Sequence, residues 1–96
     1  MDTDNNFKLS RPITFEDKHY EQLKLDLEGL TGGDLVDAER EYVSSGGVMS
    51  SVAELTKGYL ATVAAKAAGV PVEVIHALPA KDFAAVTLRV QNFLLT

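Results

Sequence analysis

The chain has no cysteine and no tryptophan, so a disulfide framework and a thiolate metal site are both excluded. Proline is scarce, at three residues in 96, and aromatic residues make up 7%. The apolar stretch at residues 59–65, broken by Thr62 alone, is far short of the roughly 20 residues a membrane helix requires. No basic segment followed by an apolar stretch opens the chain, so a secretory leader is not expected. Histidine is limited to His19 and His76, in different segments, and neither has a second histidine at ligand spacing, such as four residues on. A metal site is therefore not expected. The glycines at 29, 32 and 33 and at 46–47 match neither GxGxxG nor GxxxxGK[ST], and act as turn punctuation rather than a phosphate cradle.

Charge is present but unevenly placed. Residues 1–48 hold eleven acids and five bases, whereas residues 49–96 hold three acids and four bases, scattered along the chain. An acidic half repels a phosphate backbone, and no basic cluster compensates for it, so nucleic-acid binding is disfavoured. The plain reading of the acids is a solvated face, and the sharper one is a surface that steers a basic partner. Asp37 and Glu41, four apart on a charged helix, belong to the plain reading. With 46% hydrophobic residues the chain is expected to form one domain, residues 1–96, in a reducing cytosol. A domain of this size buries only about 60–65% of its unfolded surface, which favours self-association.

Residues 1–6 are polar and are expected to fray. Residues 7–28 alternate with a period of two. Phe7, Leu9, Ile13 and Phe15 fall on one face, and Leu23, Leu25 and Leu27 on one face of a return strand. Glu16-Asp17-Lys18 is the connector of a β-hairpin. Pro12 cannot donate to a ladder, so the first strand is an edge strand or is bulged there.

Residues 31–96 carry helix signals only. Thr31 with Asp34 caps a first helix that runs to about Ser45, with Leu35, Ala38 and Tyr42 on its apolar side. A second helix is expected from Ser51, where Ser51 to Glu54 has the form of a capping box, with Val52, Leu55, Tyr59, Val63 and Ala67 at helical steps and Gly69 as its C-cap. Pro71 opens a short turn, and Pro79 opens a last helix with Phe83, Val86, Val90, Phe93 and Leu94 as its stripe. The fold class expected is α+β, an N-terminal β-hairpin packed on a small bundle of three to four α-helices. Nothing in the chain makes a catalytic constellation: Ser44-Ser45 and Ser50-Ser51 have no neighbouring base, and no enzyme or cofactor is expected.

The chain resembles the tail assembly chaperones of the E/41/14 type found in contractile-tailed phages and prophages. The matching pieces are Leu9 to Ile13, Tyr20, Leu23 to Leu25, Leu30 to Leu35, and Leu78 to Phe83 followed by Val86, Val90, Phe93 and Leu94. They cover the chain from about Phe7 to Leu94. It departs from the family at the hairpin turn, where members often carry glycine, and after the second strand, where they often carry proline. The resemblance implies a non-enzymatic protein of the host cytoplasm, absent from the mature virion, that binds the tape measure protein and keeps it soluble until tube subunits polymerise around it. It also implies a longer companion form made by ribosomal frameshifting. The apolar finish Phe93, Leu94 and Leu95 is the expected partner-binding site, and a homo-oligomer is a further expected assembly. The alternative reading is a small structural or regulatory homo-oligomer, either a minor virion component or an acidic antitoxin-like inhibitor.

Overall fold

The computed structural model describes residues 6–48 and 56–95. Two antiparallel strands, β1 (Asn6–Phe15) and β2 (Lys18–Lys24), form the hairpin. Among the described residues four α-helices follow: α1 (Gly32–Ser44), α2 (Lys57–Ala68), α3 (Val72–His76) and α4 (Ala80–Leu95). The α+β architecture is the one the alternation and the helical stripes predict. Among the described residues, no helix is long and apolar enough to cross a membrane.

The hairpin connector is shorter than expected. Lys18 pairs with Phe15, leaving only Glu16 and Asp17 in the turn, with φ of 49° and 67°. Positive φ at both central residues is the requirement of a type I′ turn, which matches the twist of the strands it joins. Side chains carry a steric cost there that glycine would avoid.

Further along, the register slips. Lys8 pairs with Gln22 but Ile13 pairs with Tyr20, so four residues of β1 (Leu9, Ser10, Arg11 and Pro12) lie opposite Glu21 alone. Proline without an N–H sits in this bulge, as its chemistry demands. The slip is an odd number of residues, so the partners of β1's apolar positions change from odd-numbered Leu23 to even-numbered Tyr20.

Several boundaries differ from the sequence-based ones. Asn6 pairs with Lys24, so β1 begins one residue earlier than expected; residues 1–5 lie outside the described residues. β2 ends at Lys24 rather than continuing to residue 28. Leu25 and Leu27 are buried all the same, Leu25 from the connecting segment and Leu27 from a single 3₁₀ turn over Leu27–Gly29. The Asp26 N–H donates to the Ala67 carbonyl at 3.2 Å, so this segment leaves the sheet to close on the end of α2. Thr56 is extended, with φ of −91° and ψ of 108°, so the helix carrying Tyr59 begins at Lys57 and not at Ser51. The expected capping box at Ser51 to Glu54, with Val52 and Leu55, lies outside the described residues.

The helix ends follow local chemistry. The Thr31 hydroxyl accepts from the Asp34 N–H at 3.2 Å, and the Asp34 carboxylate accepts from the Thr31 N–H at 2.9 Å, a reciprocal box that satisfies two orphan donors. At the end of α2, Gly69 is left-handed, with φ of 69°. Val70 N–H donates to the Ala65 carbonyl and Gly69 N–H to that of Lys66, a Schellman arrangement.

The core is centred on α2. Residues 59–65 are all buried, including the alanines at 61, 64 and 65 whose small size lets neighbouring helices approach. Around them pack Leu9, Leu23, Ala38, Val74, Ile75, Val86 and Val90. Helices α1, α3 and α4 all contact α2, and β1 rests on α4. Of the described residues on the expected apolar stripes, all but Phe93 lie in this cluster or pack on it, Phe83 being only half-buried and Phe93 37% exposed.

Candidate partner-binding surface

Helix α4 presents two faces. Its inner face carries Val86 and Val90, both fully buried, together with Thr87, whose hydroxyl donates to the Phe83 carbonyl at 3.0 Å and so needs no outside partner. Asp82, which is not part of the apolar stripe, is also on that side and only 4% exposed. Its Oδ2 accepts two hydrogen bonds from the β1 bulge, from the Ser10 N–H at 2.9 Å and the Ser10 hydroxyl at 3.0 Å. The bulge frees the Ser10 N–H from the ladder, and Asp82 satisfies it. Hydrogen bonds to a carboxylate are about twice as strong as neutral ones, so this contact fixes the hairpin on the helix. On the other side of the junction, the Arg89 guanidinium lies over the Phe7 ring, 5.3 Å from its centre.

The outer face of α4 is partly apolar. Leu88 and Leu95, seven residues apart and thus on one side of the helix, are 54% and 55% exposed. A shallow groove of about 280 Å³ runs beside Leu88, lined by Ala85, Arg89 and Asn92. The three C-terminal residues proposed from the sequence are split by the fold. Leu95 is exposed, Phe93 is exposed by 37%, and Leu94 turns inward to pack on the core.

A similar patch lies on α1, and the sequence stripe did not include it. Leu35, Ala38 and Tyr42 face inward as expected, but Val36 and Val43, also seven apart, are about half exposed. They flank a groove of about 330 Å³ that also carries Glu39 and Arg40. Arg40 is paired with Asp37 at 3.2 Å. Glu41 accepts from the Lys66 ammonium and ties α1 to α2; this hydrogen bond holds the Lys66 pKa above its ordinary value.

An open cleft of about 750 Å³ lies between the end of α1, the start of α2 and α3. Its wall is the Tyr42 ring, clasped by two glycines. A Cβ at Gly47 would fall 2.4 Å from the ring and one at Gly58 2.2 Å, so both positions need glycine for the ring to sit there. Glu41, Glu73, His76, Ser44 and Ser45 also border the cleft without forming a convergent cluster: His76 packs against the Phe83 ring instead, 6.4 Å between centres. His19 is exposed, beside Thr14 and Glu21. Among the described residues, no three acids or histidines are grouped to hold a metal ion. The chemistry available on this surface is apolar contact framed by charge.

The fold is a small α+β module, a hairpin on helices, with exposed apolar residues on its outer helices α1 and α4. The family model for phage tail assembly chaperone proteins, described as E, or 41 or 14, matches residues 6–95, nearly the whole chain. The chain belongs to that family, and its general role is that of a phage tail assembly chaperone. No curated protein and no solved structure matches it. Membership implies a role without catalysis and a partner among phage tail proteins.

Proposed function

We propose that this chaperone binds the tape measure protein and keeps it soluble in the host cytoplasm during tail morphogenesis, leaving before the virion is complete. A tape measure protein is long and helical, and exposes apolar stripes until the tube encloses it. The observation that carries the reading is the exposed apolar side of α4, Leu88 and Leu95 with Phe93 near the helix end, in a chain of this family. An amphipathic helix laid along that side would engage anchors at i, i+3, i+4 and i+7. Anchors that are apolar and few tolerate varied partner sequences, which suits a client made of many non-identical helical segments. The acidic α1 side stays in water and keeps the complex dispersed.

Co-expression with the tape measure protein of the same genome tests the proposal. The expected result is a soluble complex that co-elutes with this chain, and its loss when Leu88 and Leu95 are both changed to Asp. A tape measure protein equally insoluble with and without the chain would overturn it.

A further inference from the structure

We infer that the free edge of β2 accepts an extended acidic segment of another protein as a third strand, held by backbone hydrogen bonds and by lysines on one face of the hairpin. The sheet has only two strands, and an isolated pair is marginal in water. Its two edges are not equivalent. On the β1 side, Pro12 has no N–H to offer and the Ser10 N–H is already given to Asp82. β2 is a regular run of seven residues without proline, and Leu23 alone in it is buried. Among the described residues, no backbone group of β2 hydrogen-bonds to another element, so its outward N–H and C=O groups are open to an incoming strand.

Charge selects the occupant. Alternation puts Lys18, Tyr20, Gln22 and Lys24 on the face opposite the buried Leu23. Lys8 joins them, directly across from Gln22 and diagonal to Lys24. All three lysines are exposed. The single acid of the two strands, Glu21, stands on the other face, 3.4 Å from His19. Lys18 lies over the Tyr20 ring, whereas Lys8 and Lys24 have no ion-pair partner among the described residues. Like charges on diagonal neighbours repel, and a carboxylate arriving on that face is drawn by both. A second copy of β2 is the wrong occupant, because pairing about Glu21 sets Lys18 against Lys24 twice and Glu21 against Glu21. A nucleic acid has no backbone groups to match a strand edge, and the net charge of −5 repels it. The ligand that fits is an extended segment with acids at alternate positions and apolar or hydroxyl residues between them.

Fluorescence anisotropy tests the edge with a labelled peptide of about ten residues in which Glu alternates with Val or Thr. The expected Kd is about 10–100 µM at about 50 mM salt, weakening several-fold at about 500 mM. Amide resonances of residues 18–24 should shift on binding. Lys8→Glu combined with Lys24→Glu should weaken binding at least about tenfold, and a peptide with Lys in place of every Glu should not bind. The acidic peptide methylated on its backbone nitrogens keeps its charge but loses its strand donors, and should also bind at least about tenfold more weakly. Both lysines are exposed, so the double variant should melt with wild type; if it melts early, Lys8→Gln with Lys24→Gln repeats the test. No binding up to about 1 mM peptide overturns the inference. So does equal binding by the double variant or by the methylated peptide, or tighter binding of a single-stranded oligothymidylate than of the acidic peptide. Leu88→Asp with Leu95→Asp should leave peptide binding intact, which separates this edge from capture of the tape measure protein by α4.

Discussion

Helices α1 and α2 are nearly equal in length, 13 and 12 residues, yet they occupy opposite environments. In α2 seven consecutive residues are buried, so it has no solvent side over two turns; in α1 only Ala38 is buried. A helix apolar all round belongs at the centre of a fold, and a helix with a narrow apolar stripe belongs at its edge. The difference shows how a small chain can bury one helix on all sides and still leave apolar residues outside. One central helix takes most of the packing, and the peripheral helices α1 and α4 keep apolar residues outside without weakening the core.

The strongest way to break this contrast is to place the same charge on each helix. Val63→Asp should unfold the protein, because an unpaired buried charge costs several kcal/mol against a total stability of roughly 5–10 kcal/mol. Val36→Asp, about half exposed on α1, should change stability by no more than about 0.5 kcal/mol. Circular dichroism melts of the two variants decide the matter, and equal effects would erase the distinction between the helices.

A smaller effect is expected where the hairpin joins the helical layer. Asp82→Ala leaves the Ser10 N–H without its acceptor and should cost about 1–3 kcal/mol. Amide exchange in β1 should accelerate well before exchange in α2, because the loss loosens the hairpin and leaves the helical centre in place. Asp82→Asn, which keeps one acceptor oxygen, should recover part of the loss.

The hairpin turn offers a gain instead of a loss. Replacing Glu16 by Asn and Asp17 by Gly together removes side-chain strain at two positive φ angles and should raise stability by up to about 1 kcal/mol. The denaturant midpoint measures it. No change would mean that the turn is not the limiting feature of the hairpin.

The weakest effect concerns the link between the two contrasted helices. The Glu41 hydrogen bond raises the Lys66 pKa in the folded protein, so folding favours the ammonium form. The contribution is present in full below the ordinary lysine value of 10.5 and disappears as pH rises through the higher folded value. Glu41 is more than half exposed, so the pair is worth less than about 1 kcal/mol. Wild type should therefore lose slightly more stability between pH 8 and pH 11 than Lys66→Met, as compared by thermal melts.

Much of the architecture was legible in the chain. The alternation at Phe7, Leu9, Ile13 and Phe15 identified the first strand, Pro12 pointed to the bulge, and Thr31, Asp34 and Gly69 marked helix ends, because each of these signals acts over four residues or fewer. The return strand was overextended because Leu23, Leu25 and Leu27 keep a period of two although the chain leaves the sheet after Lys24. The Asp26–Ala67 hydrogen bond that draws it away joins residues 41 positions apart, and no local pattern announces it. The candidate surface was legible only in part. The apolar end of α4 was evident, but that Leu94 turns inward while Leu88, Val36 and Val43 stay outside depends on which side of each helix meets α2.

By itself, then, the sequence determined the α+β class, the order of its elements, the apolar stripes that would be buried, and an acidic first half. These follow from period, propensity and capping, which operate between near neighbours. Only the tertiary structure decided that α2 would be buried on all sides, that Asp82 would leave the solvent to hold Ser10, 72 residues away, and that two like-spaced apolar patches would remain uncovered on α1 and α4. Burial is a property of the whole packing, set by what happens to stand beside each helix, and a linear pattern carries the spacing of a face without the identity of its neighbour.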